Sequence, residues 1–473
     1  MNQLMAWCLA GILTLTGCVG IQEGEAPGAQ DESLLRQASV ATAIYPNYPK
    51  FVNFMEYLPQ EDPETIGYEA YEKIYQDAWD RYEKDYQAYQ DQLASLQKSK
   101  ISDEFRGGIG KFAKVSLGKL MEEGTENKVY SPVNLYMALT ILSEMTGGDT
   151  QKEVLGLLGA ERADALRTEC QTLWKQIYLD DGIGKRVMAN SLWLREGFPF
   201  EEDFIQNLAS DYYASTYRVP MGKEETDRAI QAWVNQQTGN TLTHEAKSIQ
   251  TNATDTAMIL LSTLYFYDQW TTPFDQSATA PDTFTKEDGK NLTCDFMHDN
   301  WMGSFLKTAE YTAATKNFER GGGMLFLLPQ EGKSLSSLTG GNALDALFSG
   351  EINQTSRFGQ ITISVPKFDV TASLDWVDHL KALGVVKAFD EKGSDFTPLT
   401  KEPYIYVDKI QQASRVKIDE VGCTAASYVE MEVNAGTAMP LETCELTLDR
   451  PFLFVIFSEE QIPLFIGAVY DPS

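Results

Sequence analysis

"DRPFLFVIFSEEQIPLFIGAVYDP", residues 449–472, holds two dense apolar runs separated by a short polar stretch. Runs of that length, bounded by proline and turn-forming residues, read as buried strands rather than helices. Working outward, "QITISVPKF" (360–368) has the same character, whereas "GIGKFAKVSLGKLMEEG" (108–124) and "SPVNLYMALTILSEMTGGDTQKEVLGLLG" (131–159) read as helices. Helices come first and strands dominate later, without regular β-α alternation and without an internal repeat. That order predicts an α+β domain with largely antiparallel sheets.

The segment just upstream poses a different problem. In "DEVGCTAASYVEMEVNAGTAMPLETC" (419–444), Cys423, Ala425, Ser427, Val429, Met431 and Val433 are small or apolar. They alternate with mostly polar or wettable residues. Period two marks a strand with one buried face. Yet the segment runs into "NAGTAMPLE", which reads as an open loop and not a tight hairpin. A core strand is written into a loop.

The chain has 473 residues and a formal net charge of −29, from 39 basic and 68 acidic residues. Such acidity disfavours nucleic acid, heparin-like polyanions and anionic lipid surfaces as partners. At the N-terminus, the apolar run Leu4 to Leu15 suits a signal peptide over 1–17 and is too short to span a bilayer. It ends in Leu15-Thr16-Gly17-Cys18, which resembles the lipobox of bacterial lipoproteins, although no Lys or Arg precedes the run. That resemblance implies a diacylglycerol on Cys18, a lipid anchor as the sole membrane attachment, and residence on the outer face of a bacterial membrane or secretion.

Residues 18–65 read as a tether and linker, the first part rich in Gly, Ala, Glu and Gln. Residues 66–100 form a helical preamble. Tyr75, Trp79, Tyr82, Tyr86, Tyr89, Leu93 and Leu96 make a seven-residue stripe along it. Its tyrosines favour packing on the body of the same molecule over a dimeric zipper, which prefers Leu, Ile and Val. A coiled-coil stalk or docking site is the alternative. A globular domain over 101–473 follows.

Chemistry of the enzymatic kind is not legible. The three histidines, His244, His298 and His379, stand apart, with no H-E-x-x-H and no G-x-S-x-G elbow. "GGIGKF" (107–112) and "DGIGKR" (181–186) lack the Ser or Thr of a phosphate loop. Cysteines 170, 294, 423 and 444 are scattered and fit neither a disulfide scaffold nor a zinc site, so they read as free, mostly buried thiols. No enzyme activity, metal or cofactor is expected.

The C-terminal 449–472 resembles the end of the serpins, the serine protease inhibitors. So, in the family's order, do 130–159, "NSLWL" (190–194), "AIQAWVNQQTGNTL" (229–242), "LLSTLYFYDQW" (260–270), "GMLFLLP" (323–329), "VPKFDV" (365–370), "LGVVKAF" (383–389) and "VKIDEVG" (416–422). The resemblance covers roughly 101–473. It implies three β-sheets, eight or nine helices and an exposed reactive-centre loop. Cleavage by a target protease would give an acyl-enzyme, and the loop would then insert into the central sheet as a new strand.

On this resemblance Glu420, Gly422, Cys423, Thr424, Ala425, Ala426 and Ser427 are the hinge, with Cys423-Thr424 departing from the family's usual residues there. Tyr428 falls on the outward face, where its size is expected to slow insertion. An inserted strand of about a dozen residues adds backbone hydrogen bonds worth roughly 0.5–1.5 kcal/mol each and burial of Val429, Met431 and Val433 worth roughly 1.5–3 kcal/mol each. The total, on the order of 10–25 kcal/mol, matches or exceeds the stability of about 5–15 kcal/mol typical of a protein. It is enough to distort a tethered protease. A disulfide between Cys423 and Cys444 would forbid that separation. The scissile bond lies about seventeen residues past Glu420, within Gly436, Thr437, Ala438 and Met439. No Lys or Arg occurs from Ile418 to Asp449, so elastase-like or subtilisin-like proteases are the expected partners, with papain-like cysteine proteases a lesser alternative. Under the sheet, Ser131, Asn134, Ser262, Trp270 and Gln412 are the expected sheet-opening cluster. Gln412 stands where the family usually has His, so the lock is expected not to titrate between pH 5 and 8. The protein is expected to be a monomer. The alternative is a noninhibitory serpin-fold binding protein.

Overall fold

The computed structural model describes residues 29–60, 63–242, 256–339, 342–349, 356–423 and 442–473, with residues 247 and 249–251 between them. The elements that position the site are helices α1 (Ala29–Ala38), α2 (Tyr68–Leu96), α3 (Asp103–Leu120), α4 (Pro132–Met145) and α5 (Glu224–Gln237). The strands are β1 (Ser39–Ala41), β2 (Lys185–Arg195), β3 (Ala214–Val219), β4 (Met258–Gln269), β5 (Phe368–Asp375), β6 (Ile410–Ile418) and β7 (Gly422–Cys423).

These strands form the first sheet, in the order β1-β3-β2-β4-β6-β5, with β7 against β4 and Leu179–Asp180 against β2. The pairs β2–β3 and β4–β6 are parallel; the others are antiparallel. Beneath the sheet lies α4. Its sequence is apolar nearly all round, which makes it a core helix, and all but one of its residues are buried. Proline at its start and Ser131 as N-cap, accepting from the Asn134 N–H, fix where it begins.

The remaining strands form one hydrogen-bonded network in the order 442–447, 357–366, 291–307, 311–317, 323–329, 452–457, 463–469, 128–130. Its last part is the C-terminal pair read from the sequence: Phe452–Phe457 and Pro463–Val469 pair antiparallel and are wholly buried. The long strand Asn291–Lys307 joins two sheets that the family resemblance counts separately, because residues 291–305 pair with 280–285 and 357–366 while its end, 305–307, pairs with 312–314. Among the described residues, nine α-helical segments lie within 101–473. No helix there is long and apolar enough to cross a membrane.

The N-terminal region departs from the tether expected over 18–65. From residue 29 it is docked. Leu34, Leu35 and Ala38 of α1 pack with Ile230 and Trp233 of α5, β1 extends the first sheet beside β3, and Tyr45 stacks on Trp174 at 5.2 Å. The polar composition of this stretch hid the few apolar side chains that anchor it. Helix α2 packs on the same molecule. The Phe54 ring sits among Tyr75, Trp79 and Tyr82; Phe51 meets Tyr89 at 5.8 Å; Leu93 and Leu96 join the main core.

Candidate strand-insertion site and hinge

The gap lies between β4 and β6. These strands pair only at Ile410–Leu260 and Gln411–Leu261. By contrast, β2 follows β4 from Met258 to Tyr267 without a break. Above Leu261, among the described residues, no ladder bonds join β4 to β6. At the far end of β4, β7 enters the same slot, with Gly422 opposite Gln269 and Cys423 opposite Asp268. The first two residues of a new antiparallel strand are therefore already in place.

Each side of this seam is tied separately to the start of α4. On the β6 side, Gln412 donates from Nε2 to the Ser131 carbonyl (2.9 Å) and accepts from the Ser131 N–H (3.0 Å). On the β4 side, the Ser262 hydroxyl stands between the amides of Asn134 and Asn190, the latter at 2.6 Å. One hydroxyl proton serves only one oxygen. Asn134 Nδ2, otherwise buried without a partner, therefore points at Ser262 Oγ, and Ser262 donates to Asn190 Oδ1. All five residues, Ser131, Asn134, Asn190, Ser262 and Gln412, are buried. Gln412 thus does not replace an imidazole in one shared network; it makes its own two-point clamp. Asn190 was not singled out from the sequence. It opens the stretch "NSLWL" in the sequence, and only its register on β2 opposite Ser262 gives it this role.

The top of the slot is an aromatic and charged junction. Trp270 is buried, stacks on Phe318 at 4.8 Å, donates from Nε1 to the Asp419 carbonyl (3.0 Å), and its N–H donates to the Val421 carbonyl (3.0 Å). Asp419 accepts from the N–H groups of Val421 and Gly422, turning the chain back toward β4. A Cβ on Gly422 would lie 2.5 Å from the Asp268 carbonyl oxygen, so a glycine is required for that approach. Glu420 accepts from Lys367 Nζ (2.9 and 3.1 Å) and Thr279 Oγ1 (2.9 Å). Burial pushes its carboxyl up, but hydrogen bonds from Lys367, the backbone and Thr279 outweigh this and hold it below its ordinary value. Cys423 is buried, its Sγ 3.2 Å from the Lys417 carbonyl, and burial raises its thiol far above the usual range. Its strand partner Asp268 pairs with Arg186 at 2.7 Å in a buried ion pair, and burial, against that pairing, raises the Asp268 carboxyl.

All four described cysteines, Cys170, Cys294, Cys423 and Cys444, are free. Of the predicted site, the structure brings together Glu420, Gly422, Cys423 and Trp270 at the top of the slot, and Ser131, Asn134, Ser262 and Gln412 beneath it. Thr424, Ala425, Ala426, Ser427, Gly436, Thr437, Ala438, Met439 and the lipidation candidate Cys18 lie outside the described residues. Lys367, Thr279 and Arg186 are additions that only proximity in space reveals. Among the described residues no cluster of side chains has a metal-binding arrangement.

The first sheet thus has an open seam between β4 and β6, with β7 paired to β4 at one end of it. The family description serpin (serine protease inhibitor) matches residues 108–472, and the chain belongs to the serpin family. Serpin-Z1C of Triticum aestivum is 26% identical over 365 residues, covering 74% of this chain and 91% of the relative. Alpha-1-antitrypsin 1-4 of Mus musculus is 24% identical over 394 residues, covering 80% and 91%. In three dimensions, the native thermophilic serpin tengpin superposes with a TM-score of 0.72 at 21% identity, covering 79% and 95%. Human thyroxine-binding globulin in complex with thyroxine does so with 0.70 at 22%, covering 78% and 98%. Serpins are in general protease inhibitors rather than catalysts.

Proposed function

We propose that this protein inhibits an elastase-like or subtilisin-like serine protease as a suicide substrate, with a papain-like cysteine protease the lesser target class. It works on the outer face of a bacterial membrane, held by lipid on Cys18, or as a secreted monomer. The observation that carries the reading is the register of β7. Cys423 lies opposite Asp268, on the face of β4 that also bears Leu260, Ser262 and Leu264 over the core. Continuing that register down the 12-residue β4 sets Ala425, Ser427, Val429, Met431 and Val433 opposite Phe266, Leu264, Ser262, Leu260 and Met258. Every one of these loop residues is uncharged and fits a buried face.

The test is incubation with pancreatic elastase and with subtilisin, followed by denaturing gels. A boiling-stable complex is expected. The Ala425→Arg variant, with a charge on the inward face, is expected to become a cleaved substrate; unchanged inhibition by it would refute the register. The likeness to thyroxine-binding globulin favours a second reading, a noninhibitory small-molecule or hormone-type carrier. Clean cleavage of the wild-type loop with full protease activity would select it. Loss of membrane association in Cys18→Ser tests the anchor.

A further inference from the structure

We propose that Met302 and Phe358 form a second contact surface for the target protease, beside the reactive loop and independent of its sequence; this rests on the inhibitory reading above. Strand 357–366 alternates cleanly: Gly359, Ile361, Ile363 and Val365 are buried, while Gln360 and Thr362 face solvent. Phe358 belongs to the solvent set and is 65% exposed. Its cross-strand partner is Ser304, and Gln360 pairs with Met302, which is 45% exposed. Met302 and Phe358 are therefore diagonal neighbours on one face, about 7–8 Å apart, close enough for an aromatic ring and a thioether to form one patch. A lone exposed apolar residue needs no explanation. Two adjoining ones on paired strands, one of which is otherwise polar on its solvent side, do.

Their position supplies the occupant. The strand beside 357–366 starts at Glu442, which pairs with Gly359, the residue next to Phe358. Glu442 is the first described residue after the reactive loop. From Met439 to Glu442 the chain spans at most about 11 Å, and from Thr437 at most about 18 Å. Adjacent strands add about 5 Å each. The scissile bond thus lies within about 23 Å of the strand that bears Phe358 and about 28 Å of the strand that bears Met302. A protease domain of about 250 residues has a radius of gyration of about 18 Å, so its body is about 45 Å across and wider than its contact with the loop. Engaged on the loop, it overhangs the sheet beside it, where Met302 and Phe358 lie. Helix α2 does not close over them: a cleft of about 800 Å³ separates the patch from Gln90 and Leu93. The chemistry of the patch, an aromatic ring and a flexible thioether, fits an apolar rim on the protease beside its cleft on the leaving-group side.

The experiment measures association rate constants and inhibition stoichiometry for the double variant Met302→Ser, Phe358→Ser, using whichever of subtilisin and pancreatic elastase forms the boiling-stable complex faster. The expected result is association slowed at least fivefold with stoichiometry unchanged, while Val386→Ser, an exposed apolar control on another element, stays within twofold of wild type. A double variant within twofold of wild type would overturn the contact surface and leave the inhibitory reading standing. A changed stoichiometry would also overturn it, since that reports on insertion and not on docking. Failure of the wild type to form a complex with either protease would remove the inhibitory reading, and this proposal with it.

Discussion

At the scale of single residues, the hinge depends on side chains that do unrelated jobs within four positions. Glu420 anchors the hinge by charge, Gly422 permits the backbone approach, and Cys423 sets the inward face. Because the folded-state value of Glu420 lies below its ordinary 4.5, its contribution to stability is present above that value and is lost as pH falls through the folded one. Thermal melts of wild type and Glu420→Gln are therefore expected to diverge at neutral pH and to converge as pH falls through the lowered folded-state value; parallel curves throughout would refute the anchoring role. Tyr428 belongs to the outward set. Under the proposed insertion in the register of β7 it would stand opposite Thr263, next to Leu261 where α5 packs on the sheet. Tyr428→Ser is expected to lower the number of inhibitor molecules consumed per protease trapped, by about twofold or more, since faster insertion leaves less time for deacylation. A titration of active protease checks this.

At the scale of elements, the two sides of the seam between β4 and β6 are each tied from below to α4, through two clamps that share no side chain. All the atoms in both clamps are amide, hydroxyl or backbone groups, so neither clamp titrates near neutrality. Gln412→His puts an imidazole there. In that variant the rate of loop insertion, read as conversion to a form that no longer inhibits, is expected to rise several-fold between pH 8 and 5. The ratio of variant to wild-type rate would then change across that range; a constant ratio would contradict the clamp as described. The residue types of this cluster were legible from the sequence, but their pairing was not. Gln412 and Ser131 are 281 positions apart, and which amide faces which backbone group depends on where α4 begins beneath the sheet. The same holds for the N-terminal stretch. Its composition reads as a linker, yet Leu34 and Leu35 find a place against α5 that only the folded sheet creates.

At the scale of the molecule, the proposed mechanism has the sheet take up a strand that the chain itself contains. Filling the slot adds on the order of 10–25 kcal/mol from ladder hydrogen bonds and apolar burial. For a domain of about 370 residues, with an unfolding entropy of about 0.8 kcal/mol per kelvin, this corresponds to a rise in melting temperature of roughly 10–30 °C. Cleavage of the loop by a protease that is not trapped is expected to give that rise in a calorimetric scan. A cleaved protein that melts with the intact one would show that insertion does not occur. Local pattern by itself determined the α+β class, the buried C-terminal strand pair and the two-sided character of 419–433, because each is written in periodicity over neighbouring residues. Only the tertiary structure decided where the first two residues of that strand, Gly422 and Cys423, go. The face it presents is fixed by Cys423 lying opposite Asp268, the clamps by backbone groups brought beneath the sheet, and the docking of residues 29–96 by surfaces that no segment possesses until the others have folded.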